Sequence, residues 1–224
     1  MGKLIVIEGS CDGVGKSTQY RMLIDRLKEE KENMIITHHF PSYGTYQGRP
    51  VEEYLKGNYG KISELSPYFV NSLYAQDRAI TWITGLKQEY DKGNIIVLDR
   101  YTTSSLIYQS SVIDNPKEKE DFINYVYDYE YNKIGIPEPD LVIFLHVPFE
   151  LARSLKNKRT NNEGVKNDIH ESDYEYLKRA SDTSIDIAKK YNWSFIECSS
   201  NNEMRLPEDI HEDIYKLVKE KFYN

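Results

Sequence analysis

A short apolar run, Leu4 to Ile7, is followed at once by a glycine-rich segment and then by a helical pattern that continues to about Glu30. The segment, residues 9–18, reads GSCDGVGKST. A strand, a glycine-rich turn and a Gly-Lys-Ser helix start in this order form the Walker A pattern, whose backbone N–H groups bind phosphate oxygens. The beginning of the chain therefore predicts a phosphate-binding loop at the end of a buried strand.

The residues of this loop have distinct expected roles. Lys16 can neutralise charge between the β- and γ-phosphates of ATP, and the Ser17 hydroxyl can bind Mg²⁺. The spacing departs from the usual pattern, because Ser10 stands where a glycine is expected and counting from Gly9 leaves one residue too many. We interpret the loop as slightly widened. The residues expected to bind ATP here are Gly13, Val14, Gly15, Lys16, Ser17 and Thr18.

Four further apolar runs have the character of strands, and helical stretches separate them. They are Met34–Thr37, Asn94–Asp99, Leu141–Val147 and Trp193–Cys198. Continuous apolar runs are typical of strands buried on both faces of a parallel sheet. Their alternation with helices indicates βαβ units. We therefore predict an α/β protein with the three-layer P-loop NTPase fold, in which helices flank a five-stranded parallel sheet.

Helix signals complete this prediction. Ser66-Pro67 is typical of an N-cap followed by proline in the first turn, which predicts a helix to about Tyr90 with a stop at Gly93. Pro207 is expected to open the last helix. The polar, charged stretch from Lys156 to His170 predicts a mobile loop. No repeat or linker divides the chain, so we expect one P-loop domain, 1–224, with a lid loop at about 156–170.

Composition excludes several classes of protein. The 224 residues carry a formal net charge of −7, and a nucleic-acid-binding surface would need a basic stripe. Only Cys11 and Cys198 are present, which favours a reducing compartment over a secreted disulfide scaffold. No apolar run approaches the roughly 20 residues of a membrane span. We therefore expect a soluble, cytoplasmic protein with neither nucleic acid nor a membrane as partner.

Side chains that follow the second and third strands are expected at the edge of the sheet where the phosphate loop lies, because ligands bind outside the carboxyl ends of parallel strands. Asp99 can hold a metal ion or its waters there, and Arg100 can bridge donor and acceptor phosphates. The alternative for this pair is a salt bridge at a strand end. Phe40 and Tyr43 follow the second strand and offer aromatic and hydroxyl contacts.

One face of the long helix carries a possible base-binding set. Asn71, Tyr74 and Arg78 recur at i, i+3 and i+7, so they share a face. An aromatic ring and a guanidinium group can stack on a base and hydrogen-bond its edge. The alternative is an ordinary half-buried helix face. His38 and His39 are interpreted as strand-end residues, since a metal site needs more ligands.

These pieces belong to an ordered set of motifs that resembles the thymidylate kinase family. The set covers residues 4 to about 190. The motifs are residues 7–17, Phe40-Pro41-Ser42-Tyr43-Gly44, Tyr54-Leu55-x-Gly57 with Tyr59-Gly60, Ala75-Gln76-Asp77-Arg78-Ala79, Leu98-Asp99-Arg100-Tyr101 with Ser104-Ser105 and Tyr108-Gln109, Gly135-Ile136-Pro137-x-Pro139-Asp140, Asp168-x-His170-Glu171 and Tyr176-Leu177.

The resemblance implies transfer of the γ-phosphoryl group of ATP to dTMP, giving dTDP for dTTP biosynthesis, with Mg²⁺ as cofactor and a homodimer as the assembly. It also implies a role for each matching residue. Asp12 would bind the 3′-hydroxyl or a metal-bound water, and Arg100 would bind the acceptor phosphate. Arg78 would bind the thymine edge, Ser105 would hydrogen-bond the base, Tyr74 would stack on the base, Tyr108 would occupy the place of a ribose 2′-hydroxyl, and Phe40 and Tyr43 would line the pocket. The metal would be held by Ser17, Asp99 and Glu171.

Some members of this family have a catalytic arginine directly after the aspartate of the loop, where this chain has Gly13. The resemblance is therefore to the bacterial type, which supplies the cation from the lid. Arg159 is the expected catalytic cation, with Arg153 and Lys158 as alternates. Arg153 is also expected to contact ATP.

Three rival functions stay open at this point. A regulatory GTPase should carry Asn-Lys-x-Asp, but Asn132-Lys133 and Asn157-Lys158 both lack the aspartate. A kinase for dUMP, UMP, CMP or a deoxynucleoside is the nearest alternative enzyme. A P-loop protein that binds nucleotide without turnover is the alternative binding protein.

Overall fold

The computed structural model describes residues 2–30, 34–163 and 173–223, and for 157–163 the backbone alone. Five parallel strands form one sheet in the order β2-β3-β1-β4-β5. The strands are β1 (Lys3–Gly9), β2 (Ile35–His39), β3 (Ile95–Asp99), β4 (Leu141–His146) and β5 (Ser194–Glu197). All five predicted strands and their parallel arrangement are confirmed.

Helices connect these strands and cover the two faces of the sheet. Those of the described chain are α1 (Lys16–Glu30), α2 (Arg49–Leu55), α3 (Pro67–Thr81), α4 (Lys87–Asp91), α5 (Thr102–Tyr108), α6 (Pro116–Tyr127), α7 (Phe149–Glu163), α8 (Tyr174–Lys190) and α9 (Pro207–Phe222). A short antiparallel pair, β6 (Ser199–Ser200) and β7 (Glu203–Met204), was not predicted. No helix within the described ranges is long and apolar enough to cross a membrane.

Strand β1 holds the phosphate loop in a rigid place. It lies between β3 and β4, and its residues Leu4 to Ile7 are fully buried. Ile5 and Ile7 pack among side chains of α1 and α9 on one face. Leu4 and Val6 pack on the other face among aromatic side chains that follow α3. Because both faces are covered, the end of this strand is anchored on all sides.

The long helix predicted from Ser66 to about Tyr90 is present but not regular. A π-helical segment, Trp82–Leu86, separates α3 from α4. Ser66 occupies the N-cap position of α3, although its hydroxyl makes no capping hydrogen bond. A second π-helical segment, Asp128–Ile134, follows α6. Such segments occur often at functional sites, and the apolar period of the sequence does not reveal them.

The lid loop begins later than predicted. Helix α7 continues to Glu163, whereas the sequence analysis predicted a loop from Lys156. Lys156, Lys158, Arg159 and Glu163 are good helix formers, and the helix continues past Asn157 and Thr160 to Glu163. The rest of the predicted loop, 164–170, lies outside the described residues.

Candidate active site

One cavity of about 280 Å³ opens at the carboxyl ends of the strands, beside the phosphate loop. It brings together side chains from the loop, from the segments after β2 and β3, and from α3, α5 and α8. The predicted site residues that line it are Asp12, Lys16, Ser17, Phe40, Tyr43, Tyr74, Arg78, Asp99, Arg100, Ser105 and Tyr108. The strand ends and the helix face proposed from sequence therefore meet at a single site.

The phosphate loop absorbs its additional residue before Asp12. Strand β1 runs on to Gly9, and the backbone N–H of Ser10 donates to the carbonyl of Leu145 at 2.9 Å. Gly13 then has a φ of 90°, a left-handed conformation that favours glycine. A Cβ atom at Gly13 would also lie 2.9 Å from the carbonyl oxygen of Ala152 on α7. A side chain is excluded there both by the backbone and by the lid helix.

Other residues predicted to bind ATP lie on this loop and on the first turn of α1, away from the lining of the cavity. They are Gly13, Val14, Gly15 and Thr18. The Val14 side chain is 1% exposed and packs in the core below β1. It anchors the loop and leaves only its backbone to contact a phosphate group.

Lys16 and Asp99 form an ion pair across the cavity floor. His39 places its Nδ1 atom 3.0 Å from the other oxygen of Asp99. Burial acts to raise the pKa of Asp99, but the His39 hydrogen bond and the Lys16 charge lower it to about 2. Burial and the neighbouring Arg100 lower the pKa of Lys16. The contact between His39 and Asp99 was missed, because nothing local in the sequence shows that β2 and β3 are neighbours.

Arg100 adopts a strained backbone and points into the cavity. Its φ is 66°, which is uncommon for a residue other than glycine. Its guanidinium lies 3.2 Å from Asp12 and 3.5 Å from Glu8, and 5.1 Å from the ring centre of Tyr108. Burial acts to lower the pKa of Arg100, but Tyr108, Glu8 and Asp12 raise it well above its usual range. The side chain is therefore a fixed cation between two carboxylates.

Helix α7 brings Lys156 to the phosphate loop. The Nζ atom of Lys156 lies 3.2 Å from Asp12. Arg153 packs instead on the ring of Tyr174, at 4.1 Å from its centre, and does not line the cavity. The side chains of Arg159 and Lys158 lie outside the described part of the chain, so their roles stay predictions.

Two of the three residues on the helix face proposed for base binding line the cavity. Tyr74 lines the cavity, and its ring meets Tyr54 edge to face, with centroids 6.3 Å apart. Arg78 also lines it but is 1% exposed. Asn71 does not line it, contrary to the shared face predicted: it is fully buried, and neither polar atom of its side chain has a hydrogen-bond partner among the described residues.

Two buried glutamates support the site from behind, and the sequence analysis assigned a role to neither. Glu8 accepts hydrogen bonds from Thr103 at 3.0 Å and from Ser104 at 2.5 Å. Glu130 forms an ion pair with Arg78 at 2.6 Å. Gln109 and Tyr176 also line the cavity. The position of Glu8 between a buried strand and the loop was a usable signal, but the partners of Glu130 lie far away in the sequence.

The chain is similar in sequence to proteins of one known family. The family profile described as thymidylate kinase matches residues 7–214. A probable thymidylate kinase 1 from Saccharolobus solfataricus is 30% identical over 228 residues, which cover 100% of both chains. The human thymidylate kinase is 28% identical over 224 residues, covering 98% of this chain and 91% of the human one.

A solved structure agrees in fold. The thymidylate kinase of Candida albicans superposes with a TM-score of 0.71 at 21% identity, covering 98% of this chain and 92% of that one. The likeness confirms the predicted P-loop architecture. Since the family profile spans nearly the whole chain, the chain belongs to the thymidylate kinase family of P-loop nucleoside monophosphate kinases.

Proposed function

We propose that this enzyme transfers the γ-phosphoryl group of ATP to the 5′-phosphate of dTMP, giving dTDP. The observation that carries the proposal is the shared cavity, which is lined both by Lys16 and Arg100 and by Tyr74 and Arg78. The cations beside the phosphate loop suit two facing phosphate chains. The Tyr74 ring suits a pyrimidine base.

The chemistry needs little proton transfer, because the acceptor phosphate is already an anionic nucleophile. Catalysis then consists of positioning and of stabilising charge on the transferred group. The loop N–H groups and Lys16 hold the phosphates of ATP, while Arg100 holds the acceptor phosphate. Asp12, between Arg100 and Lys156, orients both cations. Its pKa is lowered by Arg100 and Lys156 against the opposing effect of burial, so it stays ionised in this role.

The acceptor end fixes the nucleoside. Tyr74 stacks on the base, Phe40 and Tyr43 close the side of the pocket, and Ser105 lies within hydrogen-bonding reach of the base edge. Tyr108 lies beside Arg100 and fills the place where a ribose 2′-hydroxyl would lie. Burial raises the pKa of Tyr108, so the ring stays a neutral phenol. The site is thus shaped for a deoxynucleotide.

Magnesium fits this site as a companion of ATP. Mg²⁺ is usually held by one or two carboxylates together with substrate phosphates and waters. Ser17 and Asp99 line the cavity and would hold it, where it supplies positive charge to the β- and γ-phosphate oxygens. Glu171 lies outside the described residues.

The lid is proposed to close over the phosphates and exclude water, which suppresses hydrolysis of ATP. Arg159 remains the proposed catalytic cation. Lys156 already contacts Asp12 and is proposed to anchor the start of the lid on the phosphate loop. Arg153 is proposed to reach ATP by leaving Tyr174. We also propose that residues 1–224 act as one domain in the cytoplasm.

The homodimer is proposed on the family resemblance and on exposed apolar side chains. Phe69 on α3 and Ile83 in the following π-helical segment are 42% and 66% exposed. A second copy would cover them. Sedimentation velocity of the 26.3 kDa chain tests this, and a monomer at micromolar concentration would count against it.

A coupled assay of ADP release tests the function. Turnover is measured with dTMP, dUMP, UMP and thymidine as acceptors. We expect dTMP to be the best substrate, with some activity on dUMP because one methyl group is worth only ~1–3 kcal/mol in a pocket. Preference for thymidine would indicate a nucleoside kinase, and ADP release independent of any acceptor would indicate an ATPase.

A further inference from the structure

One buried carboxylate, that of Glu130, lies outside the phosphate-binding residues and forms an ion pair with Arg78. Glu130 lies in the π-helical segment Asp128–Ile134 and is 0% exposed. It does not line the cavity, so it cannot touch a substrate. Its partner, Arg78, does line the cavity. Whatever Glu130 contributes must therefore pass through that arginine.

The contacts between the two residues use one edge of the guanidinium. Nε of Arg78 donates to Oε2 of Glu130 at 2.6 Å, and Nη2 donates to Oε1 at 2.7 Å. Nη2 also donates to the Ser105 hydroxyl at 2.8 Å. A bidentate pair of this kind fixes the plane of the guanidinium as well as its position.

One nitrogen of Arg78, Nη1, is not used by the contacts with Glu130 and Ser105. An arginine has five N–H groups and no acceptor, and the clamp with Ser105 uses the three on Nε and Nη2. Nη1 has a single partner within the described chain, the carbonyl of Tyr101 at a long 3.4 Å. The clamp thus leaves the second N–H of Nη1 as a donor for a base bound in the cavity that Arg78 lines.

Glu130 is itself held from a third side. The hydroxyl of Thr102 donates to Oε2 at 2.8 Å, and Thr102 is two residues after Arg100. The backbone carbonyl of Glu130 accepts from the N–H groups of Gly135 and Ile136, at 3.0 and 3.2 Å. Neither carboxylate nor backbone is free to move, which is what a positioning residue requires.

We propose that Glu130 is a positioning residue that aims Arg78 at the acceptor base and thereby selects a pyrimidine with a carbonyl oxygen at C4 over one with an amino group there. Thymine presents an acceptor at this position and cytosine a donor. A guanidinium fixed as a donor pairs with the first and opposes the second. The inference rests on the proposed function and names how its acceptor is chosen.

The experiment compares dTMP with dCMP. For Glu130→Gln, kcat/KM for dTMP relative to dCMP is expected to fall on the order of 10–100-fold, the worth of a charged hydrogen bond. The change should lie mainly in KM for the acceptor, with KM for ATP unaltered. Asp140→Asn is the matched control, because Asp140 accepts from the N–H of Leu4 at 2.8 Å outside the cavity. It should lower stability without altering the ratio.

Two further variants separate positioning from folding. Thr102→Val removes one hydrogen bond to Glu130 and keeps the ion pair, so it should lower the ratio by roughly threefold to tenfold even if Glu130→Gln fails to fold. Adding Glu130→Gln to Arg78→Lys should cause no further loss of discrimination, since residues acting through one contact are not additive.

The inference is overturned by an unchanged ratio in folded Glu130→Gln, by an unchanged ratio in Thr102→Val, or by an equal fall in Asp140→Asn. Calorimetric binding of dTMP and dCMP supplies a readout that does not need turnover. If the wild-type chain binds dTMP but does not phosphorylate it, the proposed function is wrong. The ratio of the affinities for dTMP and dCMP in the Glu130 variant then still tests the positioning role.

Discussion

Arg100 shows how a single residue can combine backbone strain with catalytic geometry. Its left-handed φ of 66° turns the chain directly at the end of β3 and places the guanidinium between Asp12 and Glu8. Strain of this kind persists only where the surroundings over-determine it, and it clusters at active sites. The same residue that weakens the local backbone therefore supplies the cation for the acceptor phosphate.

Replacing Arg100 by alanine and by glycine separates these two effects. Both variants should lose turnover on dTMP on the order of 10³–10⁵-fold, as for an arginine finger. The free energy of unfolding of Arg100→Gly should nevertheless be about 1 kcal/mol higher than that of Arg100→Ala, because glycine adopts φ > 0 freely. Steady-state kinetics and urea denaturation measure the two. The control is Asn192→Gly, because Asn192 also has a positive φ, of 50°, but lies outside the site, so this variant should keep its turnover. Near-wild-type activity of Arg100→Ala would contradict the role assigned to Arg100.

Asp99 predicts a defined loss of stability in acid. Its pKa of about 2 lies below the ordinary value of 3.8. The contribution of Asp99 to the free energy of unfolding is therefore complete above pH 3.8 and is lost as the pH falls through about 2. At neutral pH the contribution is about 2 kcal/mol. Asp99→Asn should lose this amount at pH 7 and show a flatter stability curve across the acid window. Urea titrations at several pH values measure it, with Asp91→Asn, in an exposed surface pair, as the control; parallel curves for Asp99→Asn and wild type would contradict the assignment.

At the scale of elements, irregular helical segments orient side chains toward the site that a regular helix would orient elsewhere. The π-helical segment after α6 ends at Gly135 in the left-handed region and turns Glu130 inward toward α3. The segment Trp82–Leu86 likewise separates α3 from α4. The N-cap signal at Ser66-Pro67 and the stop at Gly93 predicted one continuous helix, because such signals mark where a helix begins and ends and not a π-helical turn inside it.

The start of α6 gives a test of how much its cap stabilises this element. Asn115 accepts from the N–H groups of Lys117 and Glu118, so Asn115→Ala should cost about 1 kcal/mol. Ser66→Ala is the matched control, since Ser66 also precedes a proline but makes no capping hydrogen bond, and its cost should be smaller. Thermal unfolding measures both. Equal costs would show that the capping contact is not what stabilises α6.

At the scale of the whole molecule, the site depends on the sheet. Strands β1, β2 and β3 end at the same edge, and the helices α3, α5 and α8 close over the cavity from above. A ligand in this cavity braces elements that are far apart in the chain. Binding should therefore be visible as global stabilisation.

Saturation with dTMP alone should raise the melting temperature. At one hundred times Kd a ligand adds about 2.7 kcal/mol, which for a chain of this length corresponds to about 5–10 °C. UMP at the same concentration should add less, because Tyr108 occupies the space of the 2′-hydroxyl. Differential scanning fluorimetry measures the shifts. A larger shift with UMP than with dTMP would contradict the proposed acceptor.

The sequence by itself determined the phosphate loop, the five strands and the strand-end residues Asp99 and Arg100. These follow from local patterns: apolar runs, glycine placement and the rule that ligands lie at the carboxyl ends of parallel strands. Only the tertiary structure decided that Glu130 clamps Arg78, that His39 meets Asp99 and that Asn71 is covered. The partners in the first pair are 52 residues apart, and which distant elements pack together depends on the folding of the entire chain rather than on any local preference.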